Sequence, residues 1–321
     1  AAGPWVDELR EINKSKQGKF LHLTKGVHIV LPRTKLPIQQ AIYFDVEADG
    51  RMIFAIPRGR TTYVGTTDTN YAGSKDNVVT SSEDAVYLIK AVNATFPTVR
   101  LVLKDVESSW AGLRPLIHEE GKSASELSRK DEIFESDSGL ISIAGGKLTG
   151  YRKMAERVVD LVAEKYVEDK ALKRCATDHI KLSVSPFHTV AEVKQYEQEV
   201  FRRLEKYGFA KDKSDYLVET FGKGANDILS HFESIPHQDN ELALLLSQLE
   251  FCLREEMICS LSDFLVRRTG NLYFNIDLVL AYKDIVAQHM SELLSWTSQR
   301  LETERKVFDA LLQQAVFFKS K

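Results

Sequence analysis

Leu140-Ile141-Ser142-Ile143-Ala144 runs straight into Gly145-Gly146-Lys147-Leu148-Thr149, and beyond Thr149 the apolar residues Met154, Val158, Leu161 and Val162 recur at helical spacing. A short apolar run followed by that period predicts a buried strand feeding a helix. Two glycines at the junction permit a sharp turn and let a ligand approach the backbone closely. A helix start also carries unpaired amides and the positive end of the helix dipole, which together favour an anion. Lys147 and Thr149 would add a charge and a hydroxyl. An ordinary strand–turn–helix connection is the alternative reading of the same ten residues. The stretch is not a P-loop, because Leu148 follows the lysine and no glycine stands at the required upstream position.

Outward from this junction the punctuation of the chain changes. Thirteen of the 17 glycines and six of the 8 prolines lie at or before residue 150. Between them β-branched and aromatic runs predict strands over Val27–Leu31, Ala41–Val46, Met52–Pro57, Thr62–Thr66, Val102–Trp110 and Leu140–Ala144. One helix interrupts them: Ser81-Ser82 can cap it, Glu83 and Asp84 sit in its first turn, and its apolar face runs to about Ala94. After Thr149 the pattern is mostly helical, with candidate helices over Val190–Tyr207, Asp215–Phe221, Leu242–Glu250, Leu261–Arg267, Ile276–Leu294 and Ser298–Phe318. No internal repeat is present.

The chain has 321 residues, 43% hydrophobic and 28% charged, which suits a packed globular protein of about two domains and excludes collagen-like, coiled-coil and low-complexity classes. Lys and Arg number 43 against 46 Asp and Glu, a net charge of −3, so no basic footprint for a nucleic acid exists. No apolar run approaches the roughly 18 to 20 residues of a membrane-spanning helix. Three cysteines without a C-x-x-C pair argue against a disulfide framework and for a reducing, cytoplasmic setting. Ala1-Ala2-Gly3-Pro4-Trp5 carries neither an initiating Met nor a signal sequence, and the expectation is a chain lacking an N-terminal part.

Other residues with chemical potential are scattered. Arg114 lies in Ser109-Trp110-Ala111-Gly112-Leu113-Arg114-Pro115-Leu116, at the expected end of a strand, where a rigid backbone suits a guanidinium that meets phosphate or carboxylate through two bonds. Its competing reading is a solvated surface arginine, and Arg129 in a polar loop is a weaker candidate of the same kind. His28 alternates with Val27 and Ile29 on a strand; a structural role competes with that of a proton acceptor near neutral pH, which an alcohol oxidation needs. Gly65-Thr66-Thr67-Asp68 ends another strand and reads equally well as a turn. The histidines show no metal-ligand spacing. Cys252 and Cys259, seven apart, are expected on one face of a helix as core residues.

Six stretches taken together, Ala1–Val6, Lys25–Pro32, Val64–Asp68, Trp110–Leu116, Ala144–Arg152 and Asp263–Thr269, resemble in order the C-terminal part of the FAD-dependent glycerol-3-phosphate dehydrogenases of Gram-positive bacilli. The resemblance implies an α+β chain: an FAD-linked oxidoreductase fold with an incomplete flavin domain, a mainly antiparallel substrate-domain sheet and an all-helical C-terminal domain. It places the end of the flavin domain at 1–15, the β-rich substrate domain at 16–128, a returning strand and helix of the flavin domain at 129–170 and the helical domain at 171–321. It implies that Arg114 and Arg129 hold the substrate and its phosphate, that His28 is a substrate-side base, and that Gly145, Gly146, Lys147, Leu148 and Thr149 lie beside the flavin. Ala2 and Gly3 match a close-packed turn after a strand of the flavin domain.

The implied reaction oxidises sn-glycerol 3-phosphate to dihydroxyacetone phosphate, with FAD as cofactor and a quinone as onward acceptor. A helix start and Lys147 would then steady the charge that develops on the reduced flavin. Quinone reduction implies peripheral contact with the inner face of the membrane, although no strongly basic amphipathic helix is evident. The departure from the family lies at the front: no G-x-G-x-x-G follows a strand, so these residues alone are expected to hold FAD weakly or not at all and to be inactive by themselves. Two alternatives stand beside this reading. An oxidase would pass electrons to oxygen and make hydrogen peroxide, although the short segment Ile117–Leu127 lacks the insertion that family oxidases often carry; the other is a non-catalytic helical and β scaffold.

Overall fold

A computed structural model describes residues 1–316 apart from 48, 120–129, 169–172, 183–185 and 237. In chain order the helices are α1 (Val6–Ile12), α2 (Ser82–Thr95), α3 (Tyr151–Tyr166), α4 (Val190–Leu204), α5 (Lys211–Phe221), α6 (Ala225–Ser234), α7 (Asn240–Glu255), α8 (Asn271–Phe274), α9 (Ile276–Leu293) and α10 (Ser298–Val316). The strands are β1 (Lys19–Pro32), β2 (Ile42–Asp45), β3 (Met52–Arg58), β4 (Thr61–Gly65), β5 (Thr69–Asn70), β6 (Ser108–Glu119), β7 (Asp131–Glu135) and β8 (Ile141–Gly145). The mixed helix and strand content and the antiparallel pairings agree with the expected fold class. Sheet order is β2-β3-β4-β1-β5 with β6 also paired to β1, and β7 and β8 form a separate ribbon.

The chain divides into two compact units. The first comprises 1–26, 67–78 and 111–182, and the second 27–66, 79–110 and 183–321, so the segment 16–128 contributes to both. In the first unit Arg10, 2% exposed, is fixed by chemistry rather than by apolar packing alone. It pairs with Asp7 at 2.9 Å, donates to the Lys19 carbonyl at 3.0 Å and lies 4.0 Å over the Phe134 ring. A nearly buried arginine needs all of these partners to offset its lost hydration. Helix α3 is held at its sides by the ion pairs Arg157–Asp131 and Lys165–Glu135, and none of its residues is buried.

In the second unit Val27, Ile29, Val30 and Leu31 of β1 are fully buried and register against β4, with His28 opposite Gly65 and Ile29 opposite Val64. Helix α2 starts at Ser81, whose hydroxyl accepts from the Asp84 amide while Asp84 accepts from the Ser81 amide, the capping box that Ser81-Ser82 foreshadows. Among the helices after residue 183, Leu204, Leu217, Ile228, Phe232, Phe264 and Phe308 form the centre of one apolar cluster.

Several elements differ from the sequence expectation. The strand expected over Val102–Trp110 begins only at Ser108, because Asp105 accepts from the Val102 amide at 2.9 Å and pairs with Lys35 at 3.1 Å, bending 103–105 into a 3-10 turn. Arg114 therefore lies within β6 and not at a strand end. Helix α6, between Gly224 and Pro236, was hidden by its flanking breakers. Cys252 is buried in α7 but Cys259 is exposed beyond the end of that helix, so the two share no helix face. Among the described residues no helix is long and apolar enough to cross a membrane, and no cluster of histidine, cysteine or acidic side chains is arranged for a metal.

Candidate active site

The strand-to-helix junction is built as the sequence predicts. Gly145 and Gly146 both adopt left-handed backbone, with φ of 77° and 78°. A Cβ on Gly145 would meet the Lys130 carbonyl oxygen at 2.4 Å, and one on Gly146 would meet the Met154 sulfur at 2.9 Å. Only glycine satisfies both the φ and the space. The chain then enters a 3-10 turn, Leu148–Gly150, and α3, and no side chain caps either start. Lys147, Leu148 and Thr149 are exposed, Leu148 by 88%. The Gly150 amide donates to the Lys147 carbonyl at 2.8 Å and the Tyr151 amide to that of Leu148, so the start is closed by its own backbone, while Lys147 and the Thr149 hydroxyl are donors that fit a flavin ring edge gaining negative charge. Gly145→Ala should destabilise the first unit by about 2 kcal/mol, from left-handed strain plus the collision with Lys130. A urea midpoint unchanged by the substitution would contradict this account of the turn.

Gly3 also has a positive φ, 54°, at the start of the turn that leads into α1, and the Trp5 amide donates to the Ala2 carbonyl at 3.2 Å. The turn expected at Ala2-Gly3 is present, but a Cβ on Gly3 would meet nothing within 4 Å. The positive φ by itself favours glycine at this position.

Arg114, from β6, has a partner that sequence reading did not assign. Its Nη1 lies 3.2 Å from Oδ2 of Asp68, with both side chains about one-third exposed at 35% and 31%. Asp68 is itself placed by its neighbours: Thr67, 2% exposed, donates to the Lys25 carbonyl at 3.2 Å, and Thr69 and Asn70 pair with Lys25 and Thr24. The polar strand end Gly65–Asp68 is thus an anchor for the arginine. An exposed ion pair of this kind contributes little stability, about 0–1 kcal/mol, but it fixes the direction of the guanidinium. Arg129 lies outside the described residues.

His28 occupies an aromatic box in the second unit. Its ring stacks on Trp110 at 4.7 Å and 12°, with Phe54 at 5.5 Å and Tyr63 at 6.3 Å. On the neighbouring strand a Cβ at Gly65 would stand 2.3 Å from His28 Cδ2. The imidazole therefore lies against bare backbone on one side and an indole on the other. Neither Gly65 nor Trp110 carries a local sequence signal for this role, because their contact with His28 depends on strand register.

The family described as FAD dependent oxidoreductase matches residues 1–152, and the C-terminal domain of alpha-glycerophosphate oxidase matches residues 175–301. An aerobic glycerol-3-phosphate dehydrogenase of Staphylococcus epidermidis is 42% identical over 318 residues, covering 98% of this chain and 57% of that protein. The enzyme of the same name from Staphylococcus saprophyticus is 43% identical with the same coverage. The solved structure of the glycerol-3-phosphate dehydrogenase from Bacillus halodurans complexed with FAD matches with a TM-score of 0.84 and 45% identity, over 98% of this chain and 62% of that one. The chain spans somewhat more than half the length of these relatives.

Proposed function

We propose that the chain, matched by the FAD dependent oxidoreductase family over residues 1–152 and similar to glycerol-3-phosphate dehydrogenases over 98% of its length, serves the oxidation of sn-glycerol 3-phosphate to dihydroxyacetone phosphate. The observation that carries this reading is Arg114, a guanidinium about one-third exposed, aimed by Asp68 and able to meet a phosphate through two parallel bonds. Arg129 is proposed as its helper. Lys147 and the helix start after Gly146 stabilise negative charge as it develops. His28 accepts the proton of the C2 hydroxyl as the C2 hydride departs. FAD, when bound, supplies the two-electron acceptor for that hydride. Onward transfer to a quinone, with peripheral attachment at the inner face of the cell membrane, completes the proposal.

The test is an anaerobic absorbance spectrum of the FAD-loaded enzyme around the flavin band, before and after addition of sn-glycerol 3-phosphate. Bleaching of the band is expected, and a band indifferent to the substrate would sink the proposal. Stoichiometric hydrogen peroxide on readmitting air would replace quinone by oxygen as the acceptor. The oxidase name of the matched C-terminal domain makes that second readout necessary.

A further inference from the structure

A cleft of about 760 Å³ opens within the second unit, lined by the β3–β4 turn, by α5 and by residues around α8. Its lining carries charges of both signs, among them Lys213 on α5, which pairs with Glu241 at 2.7 Å, and Arg268, which pairs with Glu256 at 3.4 Å. The turn side carries Arg33, Arg58 and Arg60, while α5 carries Asp212, Asp215 and Glu219 at a spacing that places them on one helix face. Many of these charges are already committed. Arg60 pairs with Glu107 and Asp277, and Asp215 pairs with Lys211. Arg58 and Glu219, like Arg33 and Asp212, have no ion-pair partner among the described residues, and Arg58 stacks 4.0 Å over the Phe274 ring.

Oppositely charged walls that only needed to hold two elements together would close on each other. Arg58 and Glu219 make no ion pair with each other among the described residues although each feels the other's charge, and Tyr63 and Phe274 line the cleft as well. Desolvation, then the charges of Asp215 and Glu197, push the Glu219 carboxyl above its ordinary range, while the charges of Arg58 and Lys211 draw it part of the way back. Gln248, 4% exposed, also lines the cleft. Its amide nitrogen donates to the Leu244 carbonyl at 3.1 Å, and its buried Oε1 accepts from nothing among the described residues. A buried acceptor is costly to leave unpaired, and a donor held in this cleft would satisfy it.

We propose that this cleft is a second small-molecule site, taking a zwitterion whose amine and acid group are held apart by a flat apolar spacer. The acid group lies on Arg58, the amine beside Glu219, and the spacer against Phe274 and Tyr63. The volume lies within the range of sites for such molecules, about 300–1,000 Å³. The inference does not depend on flavin chemistry and is read without turnover.

The test is calorimetric titration of the full chain with 4-(aminomethyl)benzoate, and with 4-methylbenzoate and benzylamine as its singly charged counterparts. The zwitterion is expected to bind at least tenfold more tightly than either counterpart. Arg58→Gln should reduce its affinity to that of benzylamine, and Glu219→Gln to that of 4-methylbenzoate. Both substituted side chains are exposed, and an unchanged Tm for each variant confirms that the fold is intact. No binding, equal binding of all three compounds, or binding indifferent to both substitutions would each overturn the proposal.

Discussion

Arg114→Lys, in the FAD-loaded enzyme, is expected to lower kcat/KM for sn-glycerol 3-phosphate by about 30- to 150-fold, which is ~2–3 kcal/mol of transition-state binding. The charge survives this substitution, so the loss isolates geometry. A guanidinium can give one N–H to Asp68 and still present a planar pair of donors to a phosphate, whereas an ammonium drawn to Asp68 loses that fork. Asp68→Asn tests the same idea from the other side. It keeps the size of the side chain and weakens its hold on Arg114, and a smaller loss confined mainly to KM is expected. An unchanged kcat/KM in Arg114→Lys would remove the arginine from the site.

The division between what the sequence revealed and what it hid follows the range of the interactions involved. The Gly145-Gly146 junction was legible because a strand, two glycines and a helical period are all local features, and the Ser81 capping box was legible for the same reason. Asp68 was visible only as a polar strand end. Its pairing with Arg114 joins residues from β6 and from the segment before β5, which no local pattern links. The same limit explains the strand expected over Val102–Trp110. Its β-branched residues suit a strand, but Lys35, far away in sequence, stabilises the Asp105 turn that breaks it. Register is the extreme case, since the close approach of His28 to Gly65 depends on how β1 slides against β4.

That register sets up the largest effect expected. A positioned base is worth about 10²–10⁴ in rate, so His28→Gln should lower kcat by that factor while leaving phosphate binding, and hence KM, little changed. A histidine that merely filled space in the aromatic box would give the opposite result, a lower Tm with kcat nearly intact. Gly65→Ala separates the two roles further, because it leaves the imidazole in the protein and moves it. The added methyl would stand 2.3 Å from His28 Cδ2, so either the ring leaves its stack on Trp110 or the strands part. Overpacking of this kind costs about 1–3 kcal/mol of stability. The ring is the softer element, since β4 is fixed by pairing with both β1 and β3. Gly65→Ala should therefore fold, change the Trp110 fluorescence and lose much of the same kcat as His28→Gln. Combining the two substitutions should add little further loss of kcat, because a base already displaced cannot be removed a second time.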